Sequence, residues 1–237
     1  GERNEQASSG KEYVMKTGIN QGVPITFYNL FISGAPVVAT SEIPTTADDY
    51  LAMARASVGK KGREKSVLRA ANQSLKLRTS AEGFFLAANA KYHLGDYEGS
   101  IMDSNKALEI EDKNSLMIPF IYNNLGNSKD DSGDSEGAIS DYSKAISTSP
   151  EHAVFYYNRG IAKGNLGDYQ GEIADYNKAI ELVPQYVAAY YNRGNAKSDL
   201  GDYQGAIADY SKAIKINPQY VDAYYKRGTV KYNSSDY

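Results

Sequence analysis

The chain has 237 residues, 41% of them apolar, enough either for one substantial core or for a long array of small ones. It contains no Cys, which excludes a disulfide framework and thiolate chemistry, and no apolar run of membrane-spanning length, so it reads as soluble with no compartment indicated. The net charge of −3 hides an asymmetry: residues 1–80 carry 11 basic and 7 acidic residues, residues 81–237 carry 15 and 22, and an acidic array argues against a nucleic-acid groove.

The chain opens Gly-Glu-Arg-Asn without Met or a signal-type apolar segment, and so reads as processed or excised. Residues 1–10 are small and polar and are expected to be disordered. Residues 11–44 carry the apolar stretch Val23 to Ile32, broken at Ser33-Gly34-Ala35-Pro36, whose periodicity does not separate strand from helix. Two readings stand for this N-terminal extension: a cap folded over the open end of the array, which is favoured because exposed Phe27, Leu30, Phe31 and Ile32 would form a sticky patch, or a separate contact surface. Residues 45–80 read as a degenerate helical hairpin, with Thr45 and Thr46 as N-cap candidates ahead of Asp48 and Asp49. Its second helix is basic (Lys60, Lys61, Arg63, Lys65, Arg69, Lys76, Arg78), which a solvated outer face explains without an anionic partner.

From residue 81 onward the sequence repeats. Residues 187–220 match residues 153–186 at 23 of 34 positions, a period typical of helical-hairpin solenoids. In the last full unit Tyr190, Arg193/Gly194 and Lys197 fall at helical spacing, and Ala206, Ile207, Tyr210, Ala213 and Ile214 form a second stripe. Between them Gly201 is expected to end one helix at φ > 0 and Asp202 to cap the next, and Pro218 stops the second. The same signals place hairpins at 81–114, at 115–152 with four inserted residues Ser115 to Ile118, and at 153–186; residues 221–237 are the first helix of an incomplete unit. The insertion is the length of one helical turn. Glu172 stands where Ala138 and Ala206 make close contact, and the sequence offers no account of it.

These residues carry a family resemblance. Tyr190, Gly194, Tyr203, Ala206, Tyr210, Ala213 and Pro218 fill the signature places of a tetratricopeptide repeat, with Tyr190 where that family often has Trp and Arg193 departing from its usual Leu. The resemblance implies an all-α, right-handed superhelix of antiparallel helix-turn-helix units. It also implies a concave groove, lined by the first helix of each unit, that accepts a peptide or helix of a partner protein.

Catalytic constellations are weak. His93 and His152 are far apart and lack metalloprotease spacing, and neither Ser9-Gly10-Lys11 nor Gly59-Lys60-Lys61-Gly62 completes a phosphate loop. The acidic run Asp130 to Glu136 lacks the Gly of a calcium loop and falls where the inter-helix turn belongs. Neither an enzyme nor a cofactor is indicated.

The candidate groove residues are Phe85, Asn89, Asn124, Asn127, Tyr157, Asn158, Tyr191, Asn192, Asn195, Tyr225 and Lys226, in columns one helical turn apart that also include Asn123, Ile161 and Thr229. His93, Asp131, Asn165 and Asp199 are placed near the far rim. Tyr faces and Asn amides together suit a polypeptide. Tyr157, Tyr191 and Tyr225 serve equally well as core, whereas Tyr122, Tyr156, Tyr190 and Tyr224 read more firmly as core. Relatives that grip a C-terminal carboxylate use cations beside Asn; here Asn89 and Asn124 fit the amide places, but Phe85, Val154 and Asn158 hold the cationic ones, so that binding mode is rejected.

Arg159/Lys163, Arg193/Lys197 and Arg227/Lys231 recur opposite Asp141, Asp175 and Asp209, which predicts a ladder of exposed ion pairs within or between hairpins. The expected function is a protein-interaction scaffold for an unidentified protein or peptide. The alternatives are a self-assembling module, whose uncapped C-terminal helix stacks on a second copy, and the docking region of a larger enzyme.

Overall fold

The computed structural model describes residues 44–113 and 115–235. The expectations for residues 1–43 lie outside them. Eleven helices follow one another among the described residues: α1 (Ala47–Ser57), α2 (Glu64–Leu77), α3 (Ala81–His93), α4 (Tyr97–Ile110), α5 (Ile118–Asp131), α6 (Ser135–Thr148), α7 (Ala153–Asn165), α8 (Tyr169–Leu182), α9 (Val187–Asp199), α10 (Tyr203–Ile216) and α11 (Val221–Ser235). Each packs on the next, so five hairpins and a single eleventh helix stand in one file: an all-α solenoid.

The hairpins form because their turns are written locally. Gly95, Gly133, Gly167 and Gly201 all have φ between 77° and 98°, a conformation costly for any residue with a Cβ. In the last complete unit the Asp202 N–H donates to Lys197 O at 2.8 Å and the Gly201 N–H to Ser198 O at 3.0 Å, which satisfies the end of α9. The Asp202 carboxylate then accepts from the Gly205 N–H at 2.9 Å and starts α10. Asp96, Asp134 and Asp168 cap α4, α6 and α8 in the same way, so the acidic run at 130–136 is the turn. The Thr46 hydroxyl accepts from the Asp49 N–H and Asp49 reaches back to the Thr46 N–H, a capping box that opens α1.

First helices of neighbouring hairpins also touch one another, α1 with α3, α3 with α5 and α5 with α7. Their closer approach makes this the inner side of the curve. The insertion before α5 does not become a helical turn. Ser115 to Met117 form a loop held by the Ser115 N–H to Asp112 O, and α5 gains only Ile118 ahead of Pro119, whose missing N–H is harmless at a helix start.

Candidate functional site

Three of the five hairpins are locked by a tyrosine seated on a glycine. Tyr142, Tyr176 and Tyr210 come up from the second helices and cover Gly126, Gly160 and Gly194 on the first. A Cβ on any of these glycines would come within 2.6–2.8 Å of the ring. The ring hydroxyl then needs an acceptor. Tyr142 donates to Asn127 Oδ1 at 2.8 Å and Tyr210 to Asn195 Oδ1 at 2.9 Å.

In the α7–α8 hairpin the corresponding position is Ile161, which has no acceptor. Glu172 takes that role: its buried carboxyl accepts from the Tyr176 hydroxyl. Room for it exists because the facing residue is Gly164, where a Cβ would lie 2.7 Å from Glu172 Oε2. Burial raises the Glu172 carboxyl to about 7, against the lowering effect of the Tyr176 bond, with Asp199 and Asp168 adding to the rise. Glu172 is thus one part of a three-residue replacement for the Asn–Tyr pair.

The expected ion-pair ladder is present within hairpins, but its carboxylates are buried. Asp175 is held by Arg159 at 2.7 Å and Lys163 at 2.8 Å, and Asp209 by Arg193 at 2.5 Å and Lys197 at 2.8 Å. The earlier rungs use Lys91 on Asp103 and Lys129 on Asp141. All four Asp are buried. Arg193 also donates from Nη1 to Asn177 Oδ1 on α8 at 2.6 Å and lies over the Tyr190 ring, so it ties one hairpin to the preceding one. Arg159 reaches Ser143 in the same manner.

The candidate groove residues divide into two sets. Tyr157 is 0% exposed and Tyr191 8%, packed against Tyr186 and Tyr220 respectively, so neither presents a ring face outward. On α7 and α9 the neighbouring Tyr156, buried, and Tyr190, half-buried, are each less enclosed than Tyr157 and Tyr191, whereas on α11 the order is opposite, with Tyr224 44% and Tyr225 73% exposed. Asn124 and Asn192 are buried too. Asn124 Oδ1 accepts from Ser100 Oγ at 3.1 Å, and Asn192 Nδ2 donates to the Tyr157 hydroxyl at 3.0 Å.

Phe85, Asn89, Asn127, Asn158 and Asn195 are half-buried, and Tyr225 and Lys226 are exposed. Asn158 Nδ2 donates to Asn123 Oδ1 at 2.9 Å and to Asn127 Oδ1 at 3.1 Å, bridging α7 to α5. Asn127 therefore spends its carbonyl on Tyr142 and Asn158, and neither bond uses its N–H₂ group. Asn89 has no tyrosine to serve, because Ser104 stands where Tyr142, Tyr176 and Tyr210 stand in later hairpins. At the C-terminal ends of the first helices, Asn165 donates to Asp130 at 3.1 Å and the Tyr92 hydroxyl to Asp131 at 2.8 Å; His93, Asp131, Asn165 and Asp199 are exposed. Asn123 and Asp130 emerge as connectors; their signal in the sequence is that each stands 35 residues before the Asn that reaches back to it.

The fold and its repeated site define a class, the helical-hairpin solenoids. Within that class, a TPR repeat model matches residues 165–201 and 194–234 and a tetratricopeptide repeat model matches residues 121–152. Residues 121–152 and 165–234 are thus tetratricopeptide repeats. No curated protein sequence matched it closely. Among solved structures it is similar to MamA, at 20% identity over 76% of this chain and 99% of that one, with a TM-score of 0.62. It is also similar to YrrB, described as a tetratricopeptide protein with an unusual peptide-binding site, at 17% identity over 85% and 97% of the two chains, TM-score 0.61. A third is the first tetratricopeptide domain of Spaghetti bound to an HSP90 peptide, at 24% identity over 51% and 96%, TM-score 0.50. Among the described residues no helix is long and apolar enough to cross a membrane.

Proposed function

We propose that the chain is a protein-interaction scaffold and that the inner side, formed by α3, α5, α7 and α9, binds an extended peptide or a helix of a partner protein. The observation that carries this reading is the row of half-buried side chains along that side: Phe85, Asn89, Asn127, Ile161 and Asn195. The row combines apolar contact with amide groups, and the amides of Asn89 and Asn127 keep hydrogen-bonding capacity not used by the bonds described above. The Spaghetti and YrrB structures support the reading as examples of this fold with peptide sites. The occupant differs in kind from a carboxylate-terminated tail. Asn124, which such a clamp would need, is buried under α4 serines, and Phe85 and Asn158 supply no cation.

The test is selection of peptides from a display library on the whole chain, followed by affinity measurement on Asn89→Arg and on Glu109→Arg, an exposed residue of α4. Asn89→Arg is expected to weaken binding roughly tenfold or more at unchanged melting temperature, with Glu109→Arg neutral. Equal affinities for both variants would refute the groove.

A further inference from the structure

Successive first helices are tied together at a repeating place near their C-terminal ends. Between α3 and α5 the Tyr92 hydroxyl donates to Asp131 Oδ2 at 2.8 Å. Between α5 and α7 the Asn165 amide donates to Asp130 Oδ1 at 3.1 Å and to Oδ2 at 3.2 Å. Tyr92 and Asp130 hold the same place in the repeat, and Asp131 and Asn165 hold the place after it. Each of these two junctions thus pairs one donor with one carboxylate.

Between α7 and α9 the two places fall to Gly164 and Asp199. Gly164 has no side chain, and the Glu172 carboxyl fills its room: a Cβ there would stand 2.7 Å from Glu172 Oε2 and 2.9 Å from Oε1. The third junction therefore brings two carboxylates together, with no donor from either first helix. Asp199 acts on Glu172 as a like charge nearby, and so does Asp168, the cap of α8; the Tyr176 hydroxyl is the one donor to it. Glu172 is 8% exposed, whereas Asp199 and Asp168 are exposed. The last cations of α7 and α9, Lys163 and Lys197, are held by Asp175 and Asp209 at 2.8 Å each. Among the described residues none of Glu172, Asp199 and Asp168 forms an ion pair.

We infer that the α7–α9 junction is a binding site for a cationic side chain, a lysine ammonium or an arginine guanidinium, carried by a peptide segment that lies along the inner side. Such a group supplies the donors that the first two junctions find in Tyr92 and Asn165. It also neutralises a carboxylate that the fold buries without a counter-ion. The place is one turn beyond Ile161 and Asn195 on their helices, so a residue packed on that row can carry its charge to the junction. The inference rests on the reading of the inner side as the binding face and adds a chemical class to it, a basic peptide.

The probe is a labelled synthetic copy of a peptide selected by display on the whole chain, titrated with that chain and with its Glu172→Gln and Asp199→Asn variants. The selected peptides are expected to share a Lys or Arg at one position. Replacing that residue by Met should weaken binding roughly tenfold or more, and the unaltered peptide should lose as much on either variant. Asp199→Asn installs the amide that Asn165 supplies one junction earlier, and so closes the site from within. The cation needs the ionised Glu172 carboxylate, whose value lies at about 7, so binding should tighten as pH rises from about 6 to 8, and Glu172→Gln should remove that slope. Thermal melts of both variants confirm that they fold. Selected peptides that lose binding to Asn89→Arg, yet share no basic residue or bind Glu172→Gln and the unaltered chain alike, would overturn the inference and leave the groove standing. Failure to select any peptide, or binding indifferent to Asn89→Arg, would overturn both.

Discussion

The Tyr210 ring lies so close over Gly194 that a Cβ there would stand 2.7 Å from Cε1 of the ring. Gly194→Ala is therefore expected to destabilise the chain by about 1–3 kcal/mol, since a rigid ring in a packed seam has little room to yield. Gly228→Ala, at the corresponding open position, is expected to be neutral or to stabilise by up to about 1 kcal/mol through helix propensity. Urea-unfolding midpoints of the two variants measure the contrast.

Glu172 makes stability depend on pH. Its carboxyl is raised from 4.5 to about 7 in the folded chain, so between those values the native state binds more protons than the unfolded one. Stability is expected to fall as pH rises through that window, and the penalty is complete above about 7. Glu172→Gln keeps an acceptor for Tyr176 and removes the charge. It should stabilise the chain at pH 8 by roughly 2 kcal/mol and flatten the profile between pH 5 and 7, read from denaturant midpoints at each pH.

Arg193→Leu restores the residue that the repeat family usually has and takes one of two cations from buried Asp209. With Lys197 still in place at 2.8 Å, the loss is expected to be about 1–3 kcal/mol. Adding Asp209→Ala should recover part of it, because the stranded charge is then gone. Equal stability of wild type and Arg193→Leu would show that the ladder contributes nothing.

Tyr210→Phe removes the bond to Asn195 and should cost about 1 kcal/mol. Tyr220 is buried, and among the described residues its hydroxyl has no hydrogen-bond partner. Tyr220→Phe should therefore be neutral or stabilising by up to about 1 kcal/mol, compared by thermal melting of the two variants.

The hairpins were legible in the sequence because their signals are local. A glycine at positive φ and an aspartate cap at the next residue, as at Gly201 and Asp202, are contained in a single stretch of chain, and the 34-residue period repeats them. The ladder was legible for a similar reason: cations four apart on one helix faced an aspartate in fixed register on the next. The burial of its carboxylates was not, because register along a helix does not tell how far a side chain is enclosed. Nor was the relative burial of Tyr156 and Tyr157 legible: both stand near the apolar stripe of α7, and it is α9, the first helix of the next hairpin, whose Asn192 donates to the Tyr157 hydroxyl. Glu172 was opaque because its explanation is spread over Ile161, Gly164 and Tyr176, which converge only in space.

The central claim is that the inner side of the solenoid is the binding face. Amide hydrogen exchange of the whole chain, with and without a display-selected peptide, tests it most directly. The account predicts slowed exchange concentrated in α3, α5, α7 and α9, with α4, α6, α8 and α10 unchanged. Slowing confined to the second helices, or to α11 alone, would contradict it.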